Sequence, residues 1–484
     1  GSNKTVSVGT LALGDGSNGG LAANYTLSGG THQLTVNQRP LNATLARQYD
    51  ASTTAAGSTI SSFNALQGGE NLTMTGSGTA SSANVANGIS LSNNGNLALA
   101  DGSGGSAGLA SNYSLNSTVI NITPRVLNSS GSKTYDANTN AIASIITLSN
   151  LAGGETLSHS GTASTSSANA GSYTINNLTG ISISNGTGTA SNYTLTGGTH
   201  SFTIAERAIS VNGTRLYDAT SNAEASDLST QTNLVGSQTL VLSGTGIIAS
   251  RDVGSNKTVS VGTLTLADGS NGGLAANYTL SGGTHQLTVT QRPLNSSGSK
   301  AYDANTDALA NAITLSNLAG GETLVHSGTA STSSANAGSY TINNLAGIGI
   351  SNGTGTASNY TLTGGTHSFT INKRVVSLSG GSRQYNGSAT AIAADLPTIN
   401  NLVGSETLTL SGNGVVENAN VGDNKPLTNL SGLTLQNGSN GGLAANYTLS
   451  GGSSIISITP RILSLDGSRV YDGTTNSNSS DLTI

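Results

Sequence analysis

A unit of roughly 84 residues repeats along this 484-residue chain, and that period limits the folds open to it more than any other feature. Tyrosines mark the period, because a Tyr-Asp-like pair returns every 82 to 86 residues. The pairs are Tyr49-Asp50, Tyr135-Asp136, Tyr217-Asp218, Tyr302-Asp303, Tyr385-Asn386 and Tyr471-Asp472. A second signature, Asn-Tyr-Thr/Ser, carries Tyr25, Tyr113, Tyr193, Tyr278, Tyr360 and Tyr447. A fixed period of this kind indicates a chain of similar structural modules.

The repeat divides the chain at recurring arginines, several of which stand beside a proline. Proline fixes the backbone and lacks an amide donor, so we expect a short, extended and stiff connection there. The predicted division is a partial repeat at 1–38, full modules at 39–124, 125–206, 207–291, 292–373 and 374–460, and a partial repeat at 461–484.

Apolar and polar residues alternate in short stretches, as around Leu34 and Val36 and around Phe202 and Ile204. A period of two predicts half-buried strands, and no stretch carries a helical apolar stripe. The segments within one unit differ from each other, so no shorter, rung-like period is visible. We therefore predict an all-β fold of tandem small modules, each a sandwich or a β-grasp-like sheet, strung end to end as a rod. A continuous β-helix or β-solenoid is the alternative.

The composition excludes several classes of function. Charged residues make up 8% of the chain, against about 25% in typical domains, and the 17 Lys and Arg are too scattered to form a basic stripe for nucleic acid. The absence of cysteine excludes disulfides, thiolate metal sites and cysteine nucleophiles. No apolar run approaches the roughly 18 residues of a membrane helix, so we expect no membrane span in this segment.

The Tyr-Asp signature suggests an acid–base pair or a cation ligand, but a structural role explains it better. Small polar residues follow the Asp, as in a turn where its carboxylate accepts a hydrogen bond from the amide two residues on. Asn386 replaces the Asp in one unit and keeps that acceptor while losing the charge. We predict that the tyrosine ring is buried as an anchor of its module's core, with a bonded hydroxyl.

A basic residue stands two positions before each of these tyrosines. Its aliphatic stem is expected to cover the ring while its head reaches water. The alternative is a spaced cationic ladder for an acidic polysaccharide. The residues are Arg47, Lys133, Arg215, Lys300, Arg383 and Arg469.

Histidines and acidic turns give no catalytic, cofactor or metal site. One histidine slot is filled in four units, but Ile120 and Ser454 take it elsewhere. Asp15 and Asp268 open glycine-rich turns that resemble calcium loops, yet Asn437 replaces the Asp in another copy. Calcium needs six to eight oxygen ligands, so a plain loop is the better interpretation. No nucleophile and base recur together, and we expect no enzyme activity and no cofactor.

Two segments carry a family resemblance. Ile-Thr-Pro-Arg-Ile-Leu-Ser-Leu-Asp-Gly-Ser-Arg-Val-Tyr-Asp-Gly-Thr-Thr at 458–475 and Ala-Asn-Tyr-Thr-Leu-Ser-Gly-Gly at 445–452 resemble YDG-type repeats of large bacterial surface proteins, often filamentous-haemagglutinin-like adhesins. The Gly slot of the motif holds glycine only at Gly387 and Gly473, with alanine in the other four copies. The resemblance implies an extracellular, cell-surface location and a structural or adhesive role.

The expected function is that of a stalk or matrix fibre, which spaces a binding tip from a bacterial cell or coheres a biofilm. A multivalent array for glycans or host ligands is one alternative, and a polymerising filament subunit is the other. The expected partners are neighbouring repeats of the same chain, with other copies of the chain and a polysaccharide or host surface as further candidates.

Overall fold

The computed structural model describes residues 1–175, 178–342, 345–450 and 454–484, so Gly451 and Gly452 of the second family segment lie outside the described residues. The fold is all-β, as predicted. Within the described residues, helical structure is confined to three-residue 3₁₀ turns. None of these turns has the length and apolar character that a membrane crossing requires.

The chain forms two compact units. The first unit comprises residues 1–210, 232–241 and 266–283, and the second comprises residues 211–231, 242–265 and 284–484. We number the repeats module 1 (39–124), module 2 (125–206), module 3 (207–291), module 4 (292–373) and module 5 (374–460). Modules 1 and 2 lie in the first unit and modules 4 and 5 in the second, while module 3 contributes segments to both.

Strands fill every module. Residues 1–38 hold Lys4–Thr5, Gln33–Leu34 and the turn Ala22–Asn24. Module 1 holds Arg39–Gln48, Thr54–Ala56, Ile60–Phe63, Thr73–Thr75, Ser77–Ala80, Ala86–Asn93, Ala98–Ala100 and Tyr113–Thr123, with turns Gly57–Thr59 and Ala110–Asn112. Module 2 holds Arg125–Val126, Asn128–Thr134, Asn140–Ile142, Ile146–Ser149, Leu157–Ser164, Gly171–Thr174, Ile181–Asn185, Tyr193–Thr194 and His200–Ala205, with turns Ala143–Ile145 and Ala190–Asn192.

The later modules repeat this order. Module 3 holds Arg207–Ala208, Ser210–Leu216, Asn222–Glu224, Thr230–Thr232, Leu240–Ser243, Thr245–Ile248, Gly254–Ser260, Thr265–Asp268, Tyr278–Thr279 and Gln286–Thr290, with turns Ala225–Asp227 and Ala275–Asn277. Module 4 holds Arg292–Pro293, Asn295–Ala301, Asp307–Leu309, Ile313–Ser316, Leu324–Ser331, Gly338–Thr341, Ile348–Asn352, Tyr360–Thr361 and His367–Asn372, with turns Ala310–Ala312 and Ala357–Asn359. Module 5 holds Arg374–Ser379, Gly381–Gln384, Thr390–Ile392, Thr398–Asn400, Leu408–Val416, Gly422–Asn429, Leu433–Asn437, Tyr447–Leu449 and Ile455–Thr459, with turns Ala393–Asp395 and Ala444–Asn446. The last residues hold Asp466–Gly467, Leu482–Thr483 and the turn Ser479–Asp481.

Strand pairing closes inside each repeat. In the described part of the chain, every strand pair joins residues of a single module or of a single partial repeat. In every module the strands at the beginning run parallel to strands at the end, as one long pair in module 1 and as two successive pairs in modules 2 to 5. Pairs between these ends and the middle of the module, or within the middle, are antiparallel, as in module 2. A β-helix would continue its pairing from one unit to the next, so the alternative of a continuous β-solenoid is wrong.

The core of a module lies between strands that alternate buried and exposed residues. In module 4, Ile313 and Phe369 of a four-stranded sheet pack in one cluster with Ala308 and Ile348 of a three-stranded sheet. In modules 1 and 3 the corresponding strands form one six-stranded sheet, so the predicted small β module is a sheet that curls around one core. Phe202 and Ile204, predicted from their alternation, are both buried in module 2.

Burial of an alternating pair depends on the rest of its module. Leu34 and Val36 were predicted on the same pattern, yet both are exposed, at 56% and 54%. Their counterparts in the near-identical copy, Leu287 and Val289, are buried. In module 3 Leu287 and Val289 lie on a strand that pairs with Ser210–Leu216, and the near-identical local sequence around Leu34 and Val36 does not bury them by itself.

Candidate functional site

Neighbouring modules meet through two tyrosines, one from each signature. The Tyr-Asp tyrosine of one module packs edge-on against the Asn-Tyr tyrosine of the next, with ring centroids 5.3–5.4 Å apart and planes at 77–78°. This is a favoured arrangement of aromatic pairs. The first two pairs lie in the first unit and the other two in the second. The pairs are Tyr49–Tyr193, Tyr135–Tyr278, Tyr217–Tyr360 and Tyr302–Tyr447.

One acidic or amide side chain serves both hydroxyls at each junction. Tyr217 and Tyr360 donate to the two carboxylate oxygens of Glu322, at 2.8 and 2.7 Å. Glu155 and Glu406 serve their junctions in the same way, and Gln238 takes this place between Tyr135 and Tyr278. A buried carboxylate needs such donors because it has lost its water. The predicted burial and bonding of the tyrosine are present, but its partner belongs to the next module, so it joins two cores instead of anchoring one.

The junction environment keeps these phenols protonated. Burial, followed by the hydrogen bond to the glutamate, raises the pKa of Tyr193, Tyr302, Tyr360 and Tyr447 to about 12. The hydroxyls are therefore donors at neutral pH. This arrangement suits a structural contact and is the opposite of what an activated tyrosine nucleophile requires.

The asparagine before the second tyrosine reaches back to the preceding module with both ends of its amide. Asn359, which is fully buried, accepts from the amide of Val253 at 2.9 Å and donates to the carboxylate of Asp252 at 2.8 Å. Two hydrogen bonds from one planar amide fix both the distance and the angle of the contact. We call this two-bond contact the latch. It recurs at three other junctions, with Asn192 on Asn84-Val85, Asn277 on Asn169-Ala170, and Asn446 on Asn336-Ala337.

The arginine that opens modules 2 to 5 stiffens the joint with its side chain. Arg292 donates to the carbonyl and the side-chain oxygen of Asn317 at 2.7 and 2.8 Å, and to the carbonyl of Tyr217 in the preceding module at 3.4 Å. Asn317 has a φ of 66°, a left-handed conformation that asparagine tolerates better than most residues. Arg125, Arg207 and Arg374 repeat the arrangement with Asn150, Asn233 and Asn401.

A comparison with known families matches this repeat. The YDG domain matches residues 121–201, 203–289, 284–367 and 372–454, which is more than half of the chain. The chain belongs to the YDG domain family. No curated protein matches the chain.

The turn that gives the YDG domain its signature has the same geometry in all six copies. The Asp or Asn side chain accepts a hydrogen bond from the amide two residues on, at 2.9–3.2 Å. The next residue has a positive φ, 79° at Gly387 and Gly473 and 62–66° at the four alanines. Glycine meets this requirement without strain, which explains the Gly of the motif. The alanines are Ala51, Ala137, Ala219 and Ala304.

The basic residue before each YDG tyrosine does not extend its head into water, so that expectation is wrong in the full modules. The side chains of Arg47, Arg215 and Arg383 are 6–9% exposed. The Arg215 guanidinium donates to the carbonyl of Thr220 at 2.6 Å and contacts Asp218, and thereby closes the turn from inside. Because this charge is occupied within its own turn, the cationic ladder loses its support.

The acidic turns position the latch asparagines. Asp268 accepts from the amide of Ala275 at 2.7 Å, at the start of the 3₁₀ turn that ends in Asn277. Asp15 does the same for Ala22, and Asn437 for Ala444. An uncharged oxygen is sufficient for this cap, which explains why asparagine replaces aspartate. Within the described residues, no group of three His, Cys, Asp or Glu side chains could hold a metal ion.

The repeated histidine fastens a loop of the YDG module. His200 contacts the Ser129 hydroxyl at 3.0 Å and the Leu195 carbonyl at 2.8 Å, and His367 makes the same contacts with Ser296 and Leu362. In module 1 the strand register puts Thr118 opposite Ala43, the place that corresponds to this slot. The sequence assigned the slot to Ile120, seven residues after Tyr113 as His200 follows Tyr193, but in module 1 the distance is five residues.

Three signature tyrosines are exposed in this structure. Tyr25 is 69% exposed, Tyr385 is 40% and Tyr471 is 89%. Tyr113 is buried and bonded to Glu70 of its own module. The junction glutamates, the latch asparagines and the arginine-bound asparagines were all missed by sequence reasoning. Their signal was available as a fixed Gly-x-Glu/Gln segment and as the invariant Asn of the second signature.

Proposed function

We propose that the chain is an extracellular spacer of a bacterial cell, either a stalk that holds a binding tip away from the surface or a fibre of the matrix. The observation that carries the proposal is the repeated junction. The most regular side chains of each YDG module are used to hold the next module, and this contact set recurs four times. Such an arrangement gives each added module a length and a fixed attachment, and it assigns no reaction to the chain.

The junction chemistry supports variable length. Asn84-Val85, Asp252-Val253 and Asn336-Ala337 all offer one amide donor and one side-chain acceptor to a latch asparagine. Because these faces offer the same two groups, a duplicated module would need no new kind of contact. The proposed partners are accordingly neighbouring repeats first, then other copies of the chain and a polysaccharide of the matrix or host surface.

A multivalent binding array is the second candidate, and one observation favours it. Equivalent clefts open in modules 2, 4 and 5, with volumes of about 400, 450 and 440 Å³. In module 2 the cleft is lined by Leu178, Ile181 and Leu195. Leucines line the other two clefts at equivalent places, Leu345 and Leu362 in module 4 and Leu430, Leu433 and Leu449 in module 5. If each cleft held a sugar or a peptide weakly, several together would give avidity.

Cells that display the intact chain and cells that display a chain without residues 125–291 would separate the two candidates. The spacer proposal expects the shorter chain to reduce the distance over which cells bind a target, while the purified chains bind host glycans and matrix polysaccharide equally poorly. A matched control is a full-length chain with Asn359→Ala, which keeps the length but weakens a junction. Saturable glycan binding that rises with the number of modules would contradict the spacer proposal and favour the array.

A further inference from the structure

A strand near the beginning of every YDG module runs parallel to the module's last strand, and we call the two the terminal-strand pair. In module 2, Asn128–Thr134 pairs with His200–Ala205 over six residue positions. In module 1, Arg39–Gln48 pairs with Tyr113–Thr123 over ten positions. The corresponding pairs of modules 3, 4 and 5 are Ser210–Leu216 with Gln286–Thr290, Asn295–Ala301 with His367–Asn372, and Gly381–Gln384 with Ile455–Thr459.

One further hydrogen bond closes each of these ladders at the YDG tyrosine. The amide of Tyr135 donates to the carbonyl of Ala205, the last residue of the last strand, at 2.9 Å. The same bond, also 2.9 Å, is present at the other four tyrosines. They are Tyr49 to Thr123, Tyr217 to Thr290, Tyr302 to Asn372 and Tyr385 to Thr459.

The parallel arrangement of these strands determines how a stretching force along the chain is distributed over the hydrogen bonds of a module. Tension enters a module at the beginning of its first strand and leaves at the end of its last strand. Because the two strands are parallel, the opposing forces act along them, and all the hydrogen bonds of the ladder are loaded together. An antiparallel pair of terminal strands would have both loaded ends on the same side, and its bonds would break one after another.

We propose that each YDG module is a tension-bearing element and that its terminal-strand pair is the part that resists force. Apolar burial reinforces the pair, because sliding one strand past the other also exposes core side chains to water. Phe202 and Ile204 of the last strand in module 2 are each 1% exposed. In module 1, Leu45, Ile120 and Ile122 of the two strands are likewise fully buried.

The modules are predicted to differ in strength. The pair in module 1 has ten registered positions. That pair has one register shift, between Leu115 and Ser117. In module 5 the first strand is interrupted at Gly380, with a φ of 70°, and within the described residues the pairing consists of segments of three and four positions. Fewer bonds then share the load at any moment, so module 5 is expected to yield before module 1.

Single-molecule stretching of the whole chain tests the proposal, and the absence of cysteine lets handles be attached at chosen points. In one geometry the handles are at the two chain ends. In the other they are at Ser158→Cys and Ser184→Cys, exposed partners on an antiparallel pair of module 2. We expect end-to-end pulling to need a rupture force roughly two or more times higher than cross-strand pulling at the same loading rate. Equal or lower force from the chain ends would overturn the proposal.

A pair of proline variants locates the resistance within the module. Thr203→Pro removes an amide donor from the parallel ladder opposite Ser132, and Ser182→Pro removes one from an antiparallel pair opposite Ser160. Both native side chains are exposed, so neither change disturbs the core. Thr203→Pro is expected to lower the rupture force of one event, whereas Ser182→Pro leaves all the forces unchanged. Equal effects of the two would contradict the assignment.

The readout remains valid if one variant does not fold. Each folded module releases roughly 270–300 Å of chain when it opens, from an extended reach of about 3.3–3.6 Å per residue, so an unfolded module appears as a missing event. In that case the comparison of handle geometries decides the question. The inference does not rest on the spacer proposal, because purified chain can resist force whether or not it holds a tip away from a cell.

Discussion

Asn359 and Asn112 occupy the same place in the Asn-Tyr signature, but Asn359 is buried against a preceding module and Asn112 is exposed. Asn359→Ala is expected to cost about 1–3 kcal/mol, because it leaves the amide of Val253 and the carboxylate of Asp252 without their buried partner. Hydrogen exchange at the Val253 amide measures this directly and should become faster. Asn112→Ala is the matched control and should change neither exchange nor stability. Unchanged protection of Val253 would refute the latch.

Tyr217 and Asp218 are adjacent in sequence but have different roles, because Tyr217 joins modules 3 and 4 and Asp218 closes its own turn. Tyr217→Ala is expected to destabilise the chain by roughly 3–5 kcal/mol, the usual cost of deleting a large buried aromatic, with the loss shared by modules 3 and 4. Asp218→Asn should cost far less, because Asn386 makes the same turn and contacts Arg383. Denaturant melts of the two variants make the comparison. Similar losses for both would show that the charge, and not only the turn, is needed.

At the scale of single residues, the hydrogen bonds inside the YDG turns were predictable from the sequence, whereas the contacts between modules were not. The Asp-to-amide bond was predictable because it joins residues two apart, and the Asn386 replacement pointed to it. The Tyr217–Glu322 bond joins residues 105 apart, and nothing local in the sequence specifies such a contact. The buried head of Arg215 was missed for a different reason, because arginine side chains are mostly exposed in proteins.

At the scale of elements, each junction is expected to weaken at alkaline pH. Burial raises the pKa of Tyr360 and Tyr447 from 10 to about 12, so these hydroxyls hold their protons more tightly in the folded chain than in the unfolded one. The stabilisation is complete below pH 10 and is lost as pH rises toward 12. Thermal melts between pH 9 and 12 should follow this course. Tyr360→Phe should flatten it at one junction, and an unaltered profile in that variant would contradict the assignment.

The acidic turns at Asp15 and Asp268 resemble calcium loops in sequence, but their aspartates cap 3₁₀ turns. Removing divalent ions with a chelator is expected to leave the thermal melt unchanged, because Asp15 and Asp268 cap 3₁₀ turns with the same bond that uncharged Asn437 makes. A control titration with calcium should also have no effect. A large downward shift with chelator that calcium restores would make these turns ligand sites.

At the scale of the whole molecule, an in-register deletion should build a junction that these 484 residues do not contain. Without residues 125–291, Asn359 of module 4 takes the place of Asn192 against Asn84-Val85 of module 1. The Val85 amide is expected to stay protected from hydrogen exchange in this shorter chain, and to lose protection when Asn359→Ala is added. Fast exchange at Val85 in the deletion chain alone would mean that the junctions are not interchangeable.

The architecture of tandem β modules was predictable from the sequence. The period of roughly 84 residues indicates the modules, and the alternation of residues such as Phe202 and Ile204 indicates strands. The pairing of first and last strands was not predictable, since parallel partners such as Ser129 and His200 are 71 residues apart. The exposed pair Leu34 and Val36 shows the limit of the pattern. Alternation indicates a strand that can be half buried, and the remainder of the module decides whether it is.

The latch asparagines have a consequence for sugar attachment. Asn192, Asn277, Asn359 and Asn446 each begin an Asn-Tyr-Thr triplet, which has the form of an N-linked glycan acceptor. All four are at most 1% exposed, and each amide group is already engaged by the preceding module. A glycan could be added only before two modules dock, and once attached it would occupy the place of the neighbour. Glycosylation of these triplets therefore depends on the order of folding. Once the preceding module has docked, it covers the asparagine and a glycosyltransferase can no longer reach it.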